Sequence, residues 1–286
     1  MINDSTLISE LERRFKENKK AIAELEEMTA QLKAVNKKLE ESEALKSHFI
    51  SNIRNEIINP FTSIINLSKQ IHSMNDIEKA KKNAMLIHDE AFFLDFQLKN
   101  IFAAAELEAG ETFPQIYSVN IISTVKNLID SYQNNIAAKK LNVKILSTVS
   151  NDFTFKSDPG KLVLIYSNLL NNAILFSKEE SEIQINLSFE YDSMIFTIKD
   201  QGIGIDEDKL RLIFDRFKRL DNTINTQSSG YGLGLSVAKA LTDMLDGTIS
   251  VESKLGDGST FTVMIPDVHV DTEATGTAID ENGMLF

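Results

Sequence analysis

The sequence predicts an α+β multidomain protein: a long parallel coiled coil leading into a dimeric four-helix bundle, followed by an α/β sandwich domain. Three observations carry this expectation. Helix breakers are almost missing from the first third of the 286 residues, where Pro60 is the one proline and no glycine precedes Gly110. Apolar residues in that third recur at coiled-coil spacing. Beyond Ile116 the pattern changes to short alternating runs interleaved with helical ones.

In the front segment, Leu11, Phe15, Asn18, Ile22, Leu25, Thr29, Leu32, Asn36 and Leu39 step by four and three, as a and d positions do. After a polar break at Glu43 and Lys46 the register resumes at Ile50, Ile53, Ile57, Pro60, Ile64, Leu67, Ile71 and Met74. Asn36 at an a position favours a parallel dimer in fixed register. At ~1.5 Å per residue such a helix reaches on the order of 100 Å, and one chain cannot cover its apolar stripe. A homodimer is therefore expected. Ser73-Met-Asn-Asp76 reads as a helix stop and a new N-cap, Asn75 or Asp76. A second helix follows from about Ile77 to Glu108, with Ala84, Ile87, Ala91, Leu94, Leu98 and Ile101 on one face. Two such hairpins make a four-helix bundle, and Gly110 and Pro114 end it.

The expected domains are a coiled-coil helix over 1–45, a dimerisation hairpin over 46–110, an α/β domain over 111–267 and an acidic disordered tail over 268–286. Within the α/β domain, strands are predicted near Ile116–Val119, Leu141–Leu146, Phe153–Lys156, Ile183–Phe189 and Met194–Lys199. A closing hairpin is predicted at Thr248–Glu252 and Thr260–Ile265. Helices are expected near 120–137, from Asp158-Pro159 to Phe176, and from Leu233 to about Leu245. The tail from Asp267 has small polar and acidic residues and no Lys or Arg.

Composition narrows the chemistry. Thirty Lys and Arg against 42 Asp and Glu give a net charge of −12, a poor balance for binding nucleic acid or anionic lipid. With no cysteine, disulfides, thiolate catalysis and Cys-ligated metals are excluded. The four histidines (His48, His72, His88 and His269) are too scattered for a His-rich metal centre. No apolar run of about 18 residues and no signal-like amino terminus occurs, so a cytoplasmic chain without membrane contact is expected.

Three stretches carry candidate chemistry. Asp200-Gln-Gly-Ile-Gly-Ile205 follows a strand directly: Gly202 and Gly204 let backbone pass close to a flat ligand, and the Asp200 carboxylate can accept from an exocyclic amine. Gly230-Tyr-Gly-Leu-Gly-Leu235 opens a helix, so its amides can cradle phosphate; a flexible loop with a cap is the plain alternative. No Lys follows these glycines and their spacing is not G-x-G-x-x-G, which argues against a Walker loop and a dinucleotide fold. Asn168-Leu-Leu-Asn171-Asn172-Ala lies inside a helix, where three Asn in five positions are unexpected for scaffolding. Asn168 and Asn172 share a face, and an amide oxygen can ligate Mg²⁺ that stays bound mainly to phosphates and water; a solvated polar face is the alternative.

Taken in order behind a helical hairpin, these elements resemble the sensor histidine kinases of two-component signalling. Asn168-Leu-Leu-Asn-Asn-Ala-Ile-Leu-Phe-Ser is similar to their N box, and Asp200-Gln-Gly-Ile-Gly to the first glycine box. Ile213-Phe-Asp-Arg-Phe-Lys-Arg-Leu-Asp221 is similar to the F box, Gly230-Tyr-Gly-Leu-Gly-Leu-Ser-Val to the second glycine box, and Gly256-Asp-Gly-Ser-Thr-Phe261 to the terminal one. The resemblance spans roughly 43–266. It implies an ATP-binding domain of the histidine kinase and gyrase type with ATP and Mg²⁺ as cofactors. In that scheme Asn172 holds the metal, Asp200 binds the adenine amine and Asn168 lies near the phosphates. Arg219 approaches the γ-phosphate, and Gly202, Gly204, Gly230, Gly232 and Gly234 line the site. Leu175 stands where the family often has Lys or Arg, and Tyr231 replaces a usual small residue.

The larger departure is in the hairpin. Phe49-Ile-Ser-Asn-Ile-Arg-Asn55-Glu56-Ile-Ile-Asn59-Pro60 resembles the H box, whose phosphorylated residue is a His followed by Glu; here Asn55 takes that place. A carboxamide nitrogen is conjugated and not nucleophilic, whereas a neutral imidazole is, so autophosphorylation there is expected to be absent. His48, one heptad earlier, lacks the neighbouring acid and the proline. Glu56 and Asn59 remain. The resemblance implies that the carboxylate assists proton transfer and that an amide three residues on can orient water against a regulator's aspartyl phosphate.

The expected function is thus a histidine kinase-type core that binds Mg-ATP and signals through a response regulator receiver domain, as phosphatase or partner. The alternatives are a non-catalytic ATP-sensing scaffold paired with another, His-bearing histidine kinase, and an acceptor-null form of an ordinary kinase. Gyrase-like and mismatch-repair ATPases lack the helical dimer in front.

Overall fold

The computed structural model describes residues 4–72, 76–110, 112–215 and 233–268, and it divides into two compact units, Met1–Asn55 and Glu56–Phe286. In the first unit the chain is one uninterrupted helix, the start of α1 (Asp4–His72). Its heptad residues Phe15, Ile22, Leu25 and Leu32 are exposed along that rod. A stripe of this kind gains its stability from a partner surface rather than from its own turn-to-turn contacts.

The second unit begins with the rest of α1, which continues through Pro60, and α2 (Ile77–Ala109). Asp76 caps α2 by accepting from the Glu78 and Lys79 amides, and Gly110 closes it in the left-handed region at φ 68°. Ser63 donates to Glu90, and Asn83 to Gln70. Moving seven residues up α1 thus moves seven back along α2, which is the register of an antiparallel hairpin.

The α/β part follows as β1 (Tyr117–Asn120), α3 (Ile121–Ser131), α4 (Gln133–Ala138), β2 (Asn142–Ser147), β3 (Thr154–Ser157), α5 (Pro159–Phe176), β4 (Glu182–Glu190), β5 (Ser193–Lys199), α6 (Gly234–Met244), β6 (Thr248–Lys254) and β7 (Gly258–Pro266). β1 and β3 form a two-stranded antiparallel sheet; the other five run in the order β2-β4-β5-β7-β6, with only β2 and β4 parallel. Strand alternation sends Ile183, Ile185, Leu187, Met194, Phe196, Ile198, Phe261, Val263 and Ile265 into the core. Tyr191 and Asp192, both at positive φ, make the two-residue turn between β4 and β5, a conformation that matches strand twist. Leu162, Ile165, Tyr166, Leu169 and Leu170 of α5 fill the core, with the Tyr166 ring stacked 4.2 Å from that of Phe196.

Three details depart from the sequence-based expectations. The helix expected near 120–137 is two, divided at Tyr132, whose ring is buried edge-on to Phe92 of α2 at 5.1 Å. α2 carries a second inward stripe, Phe92, Phe96, Asn100, Ala103 and Leu107, of which Phe92, Ala103 and Leu107 pack on the α/β core and Phe96 and Asn100 are buried. Asp267 and Val268, expected to open a disordered tail, are instead hydrogen-bonded to β3. The Asp267 carboxylate accepts from the Lys156 amide at 2.6 Å, and Val268 donates to the Lys156 carbonyl, so the chain extends the edge of β3. Residues 269–286 lie outside the described residues.

Asp158, the N-cap of α5, accepts from the amides of Lys161 at 3.0 Å and Gln115 at 2.8 Å and pairs with the Lys161 ammonium at 3.0 Å. Burial acts to raise its pKa, but these bonds and the adjacent cation outweigh it and hold the carboxyl below its ordinary range. A depressed native pKa stabilises the fold at pH above the unfolded value, near 3.8, and that contribution disappears as pH falls through the native value. Asp158→Ala is expected to cost about 2–4 kcal/mol in urea unfolding at pH 7, because a cap and a shielded ion pair are lost together. The difference from wild type should narrow progressively below pH 4.

Candidate nucleotide site

The site is built where β5 ends and α5 passes over it. Asp200 follows β5 and is 5% exposed. Its Oδ1 accepts from the Gly202 amide at 2.8 Å and the Ser259 amide at 3.2 Å. Oδ2 makes no hydrogen bond, and no cation pairs with Asp200, among the described residues. Burial pushes the carboxyl above the ordinary carboxylate range, against the pull of those two amides. Such a group has one oxygen anchored and one left to accept from a ligand's N–H.

The glycines after Asp200 are required by close approach. A Cβ on Gly202 would meet the Phe176 carbonyl and lie 2.7 Å from Asp200 Oδ1. Gly204 has φ 68°, and its Cβ would strike the Lys254 carbonyl. Ser253 fastens the loop: it accepts from the Ile205 amide at 2.8 Å and donates to the Gly258 carbonyl at 2.7 Å. The terminal glycine stretch thus brings Ser259 beneath Asp200.

On α5, Asn168 and Asn172 behave differently. Asn172 is half-buried, and its side chain makes no hydrogen bond among the described residues, so its oxygen is available as a ligand. Asn168 is 2% exposed and donates both N–H groups, to Asn100 Oδ1 at 2.7 Å and to the Leu164 carbonyl at 2.9 Å. Its oxygen lies 2.5 Å from where a Cβ on Gly234 would sit, so only glycine fits at the start of α6. Asn168, Asn172, Asp200, Gly202, Gly204 and Gly234 therefore all belong to the described α/β domain, with Asn168 against Gly234 and Asp200 against Gly202. Arg219, Gly230 and Gly232 lie outside the described residues. In the hairpin, Asn55, Glu56 and Asn59 fall on α1, and Asn59 is exposed.

Two contributors were not expected from the sequence. Lys139 donates to the carbonyls of Ile174, Leu175 and Ser177 at 2.9, 2.6 and 3.3 Å and so caps the end of α5 where Leu175 supplies no charge; burial lowers its pKa. Asn100 is the other, 1% exposed and bonded through its own N–H to the Phe96 carbonyl at 3.0 Å. A polar residue within an otherwise apolar stripe was the only signal for it.

The arrangement offers a buried acceptor without a counter-cation among the described residues, able to receive an N–H group, and on α5, one turn beyond Asn168, an amide oxygen able to ligate a cation. No helix among the described residues is long and apolar enough to cross a membrane.

The profile of the histidine kinase-, DNA gyrase B-, and HSP90-like ATPase family matches residues 157–269. The circadian input-output histidine kinase CikA of Synechococcus elongatus is 29% identical over 228 residues, covering 78% of this chain and 30% of the relative. The autoinducer 2 sensor kinase/phosphatase LuxQ of Vibrio vulnificus is 30% identical over 234 residues, covering 79% and 27%. Histidine kinase ThkA, solved in complex with the response regulator TrrA, shares the fold with a TM-score of 0.53 at 21% identity, covering 80% of this chain and 64% of that one. The chain thus spans less than a third of the length of the two curated relatives. By its motifs, its fold and these relatives, the chain belongs to the sensor histidine kinases, with the nucleotide-binding domain they share with gyrase and HSP90.

Proposed function

We propose that this chain binds Mg-ATP in the Asp200 cleft and signals through a response regulator without phosphorylating itself at position 55. The observation that carries the nucleotide reading is Asp200, a buried carboxylate with one oxygen fixed by two amides and the other without a partner among the described residues. Asn172 would hold Mg²⁺, Asn168 would lie near the phosphates, Arg219 would approach the γ-phosphate, and Gly230 and Gly232 would contribute to the nucleotide site. Bound magnesium would offset the charge of the phosphate chain. The chain's own part is to orient: Asp200 fixes the base, and the α6 amides behind Gly234 receive phosphate oxygens.

In this reading residues 1–45 are a signalling coiled coil, 46–110 a dimerisation hairpin, 111–267 the catalytic domain and 268–286 an acidic tail. The exposed apolar residues of the rod, with Ile58, Phe61 and Ile65 in the hairpin, support a homodimer. Asn55 offers no nucleophile, while Glu56 and the exposed Asn59 keep the groups that assist water attack on an aspartyl phosphate. The word phosphatase in the name of LuxQ and the regulator bound to ThkA point the same way. An ATP-sensing scaffold paired with a His-bearing kinase is the second reading, favoured by the missing nucleophile alone.

Asp200→Asn is expected to weaken ADP binding about 10- to 100-fold by calorimetry, since a charge-assisted acceptor is lost. Its melting temperature in the absence of nucleotide should stay level or rise. A carboxyl with a raised native pKa favours the fold below the unfolded value, and the benefit is lost as pH climbs through the native one, so at pH 7 the charge is a net cost. Loss of binding together with a collapse in melting temperature would contradict the assignment.

Decay of a phosphorylated receiver domain should be faster with the protein than without it, and Asn59→Ala should remove most of the acceleration. Equal decay rates in all three samples would leave the scaffold reading. Label from γ-labelled ATP should not reach wild-type α1, and Asn55→His should admit it if the rest of the kinase machinery is intact.

A further inference from the structure

We propose that Asn100 of α2 is a positioning residue for the nucleotide cleft: it clamps the Asn168 carboxamide with its oxygen toward Gly234, so the hairpin tunes binding of a magnesium-bound phosphate chain. The proposal rests on the Mg-nucleotide reading of the cleft and names the residue through which the hairpin reaches it.

The orientation follows from acceptors that cannot donate. The Phe96 carbonyl takes the Asn100 NH₂, which leaves Asn100 Oδ1 to face Asn168. The Leu164 carbonyl and that oxygen together take both N–H groups of Asn168. Turning either amide over would set oxygen against oxygen. Both residues are buried, at 1% and 2% exposure, where an opposed pair of acceptors is costly.

Among the described residues Asn168 is left with a single free function, its carbonyl oxygen, held on the Gly234 side. An oxygen repels phosphate oxygens and attracts a cation or the water on a cation. The clamp therefore favours a nucleotide that arrives with magnesium over the same nucleotide without it. Without Asn100, the Asn168 amide is free to turn, and fixing it again on binding costs side-chain entropy. The partner of this bond belongs to α2, which docks beside it through Phe92, Ala103 and Leu107. By reciprocity, whatever strengthens magnesium-nucleotide binding through the clamp also strengthens the hold of α2.

The test is calorimetry on the full chain with ADP, in excess magnesium and in excess chelator. Asn100→Ala should weaken Mg-ADP binding roughly three- to tenfold and leave Mg-free ADP within about twofold, which a general loss of packing would not do. In an Asn168→Ala background, Asn100→Ala should have no further effect. Wild-type affinity in Asn100→Ala, equal losses with and without magnesium, or additive losses in the double variant would each overturn the proposal. Should Asn100→Ala lose its cooperative thermal transition, Asn100→Ser, too short to reach Asn168, is read by the same outcomes. No ADP uptake by wild type overturns the cleft reading and this proposal with it; uptake with an indifferent Asn100→Ala overturns this proposal alone.

Discussion

The burial of α5 against the five-stranded sheet is the constraint on which the rest depends. Leu162, Ile165, Tyr166, Leu169 and Leu170 are each essentially inaccessible, and side chains of this size stabilise by about 1.5–3 kcal/mol apiece when removed from water. A helix held by so many positions cannot rotate. At 3.6 residues per turn, committing those positions to the core decides where Asn168 and Asn172 look. The polar residues are aimed by the apolar ones, and the glycine turns after β5 and before α6 follow the space that remains.

The site also shows a conflict between folding and chemistry. Asp200 is the last place where a fold would choose a carboxylate, since burial disfavours its charge and no cation stands beside it among the described residues. Asp158, only slightly exposed as well, is the structural counterpart: two backbone amides and the Lys161 ammonium hold it ionised. The contrast separates a carboxylate that secures a helix from one kept unsatisfied for a visitor. Asn168 and Asn172 divide in a similar way: both N–H groups of Asn168 are taken by its neighbours, whereas Asn172 makes no side-chain hydrogen bond among the described residues.

Much of this architecture was legible in the sequence because local chemistry and tertiary structure agree. The Asp76 and Asp158 caps, the closing Gly110 and the period-two runs of β4, β5 and β7 each announce themselves within a few residues. The glycine stretches were legible for the same reason, since only close approach of backbone requires them. Contacts between distant segments were not legible. The step at Tyr132 accompanies packing against Phe92, forty residues earlier, and Lys139 caps a helix that begins twenty residues after it. Asn100 was hidden because the stripe with Ile87, Leu94 and Ile101 is the stronger signal on α2, and periodicity analysis favours one face per helix.

That α2 works on both flanks has an evolutionary consequence. Its exposed positions include Lys81, His88, Asp95, Lys99 and Glu106, where Lys99 and Asp95 pair at 2.6 Å, whereas Phe92, Phe96, Asn100 and Leu107 are held between neighbours. Change is least restricted at the exposed positions and most restricted along the buried stripe. A substitution on either flank must satisfy two neighbours whose own sequences vary independently, so compensating changes should arise in pairs rather than singly.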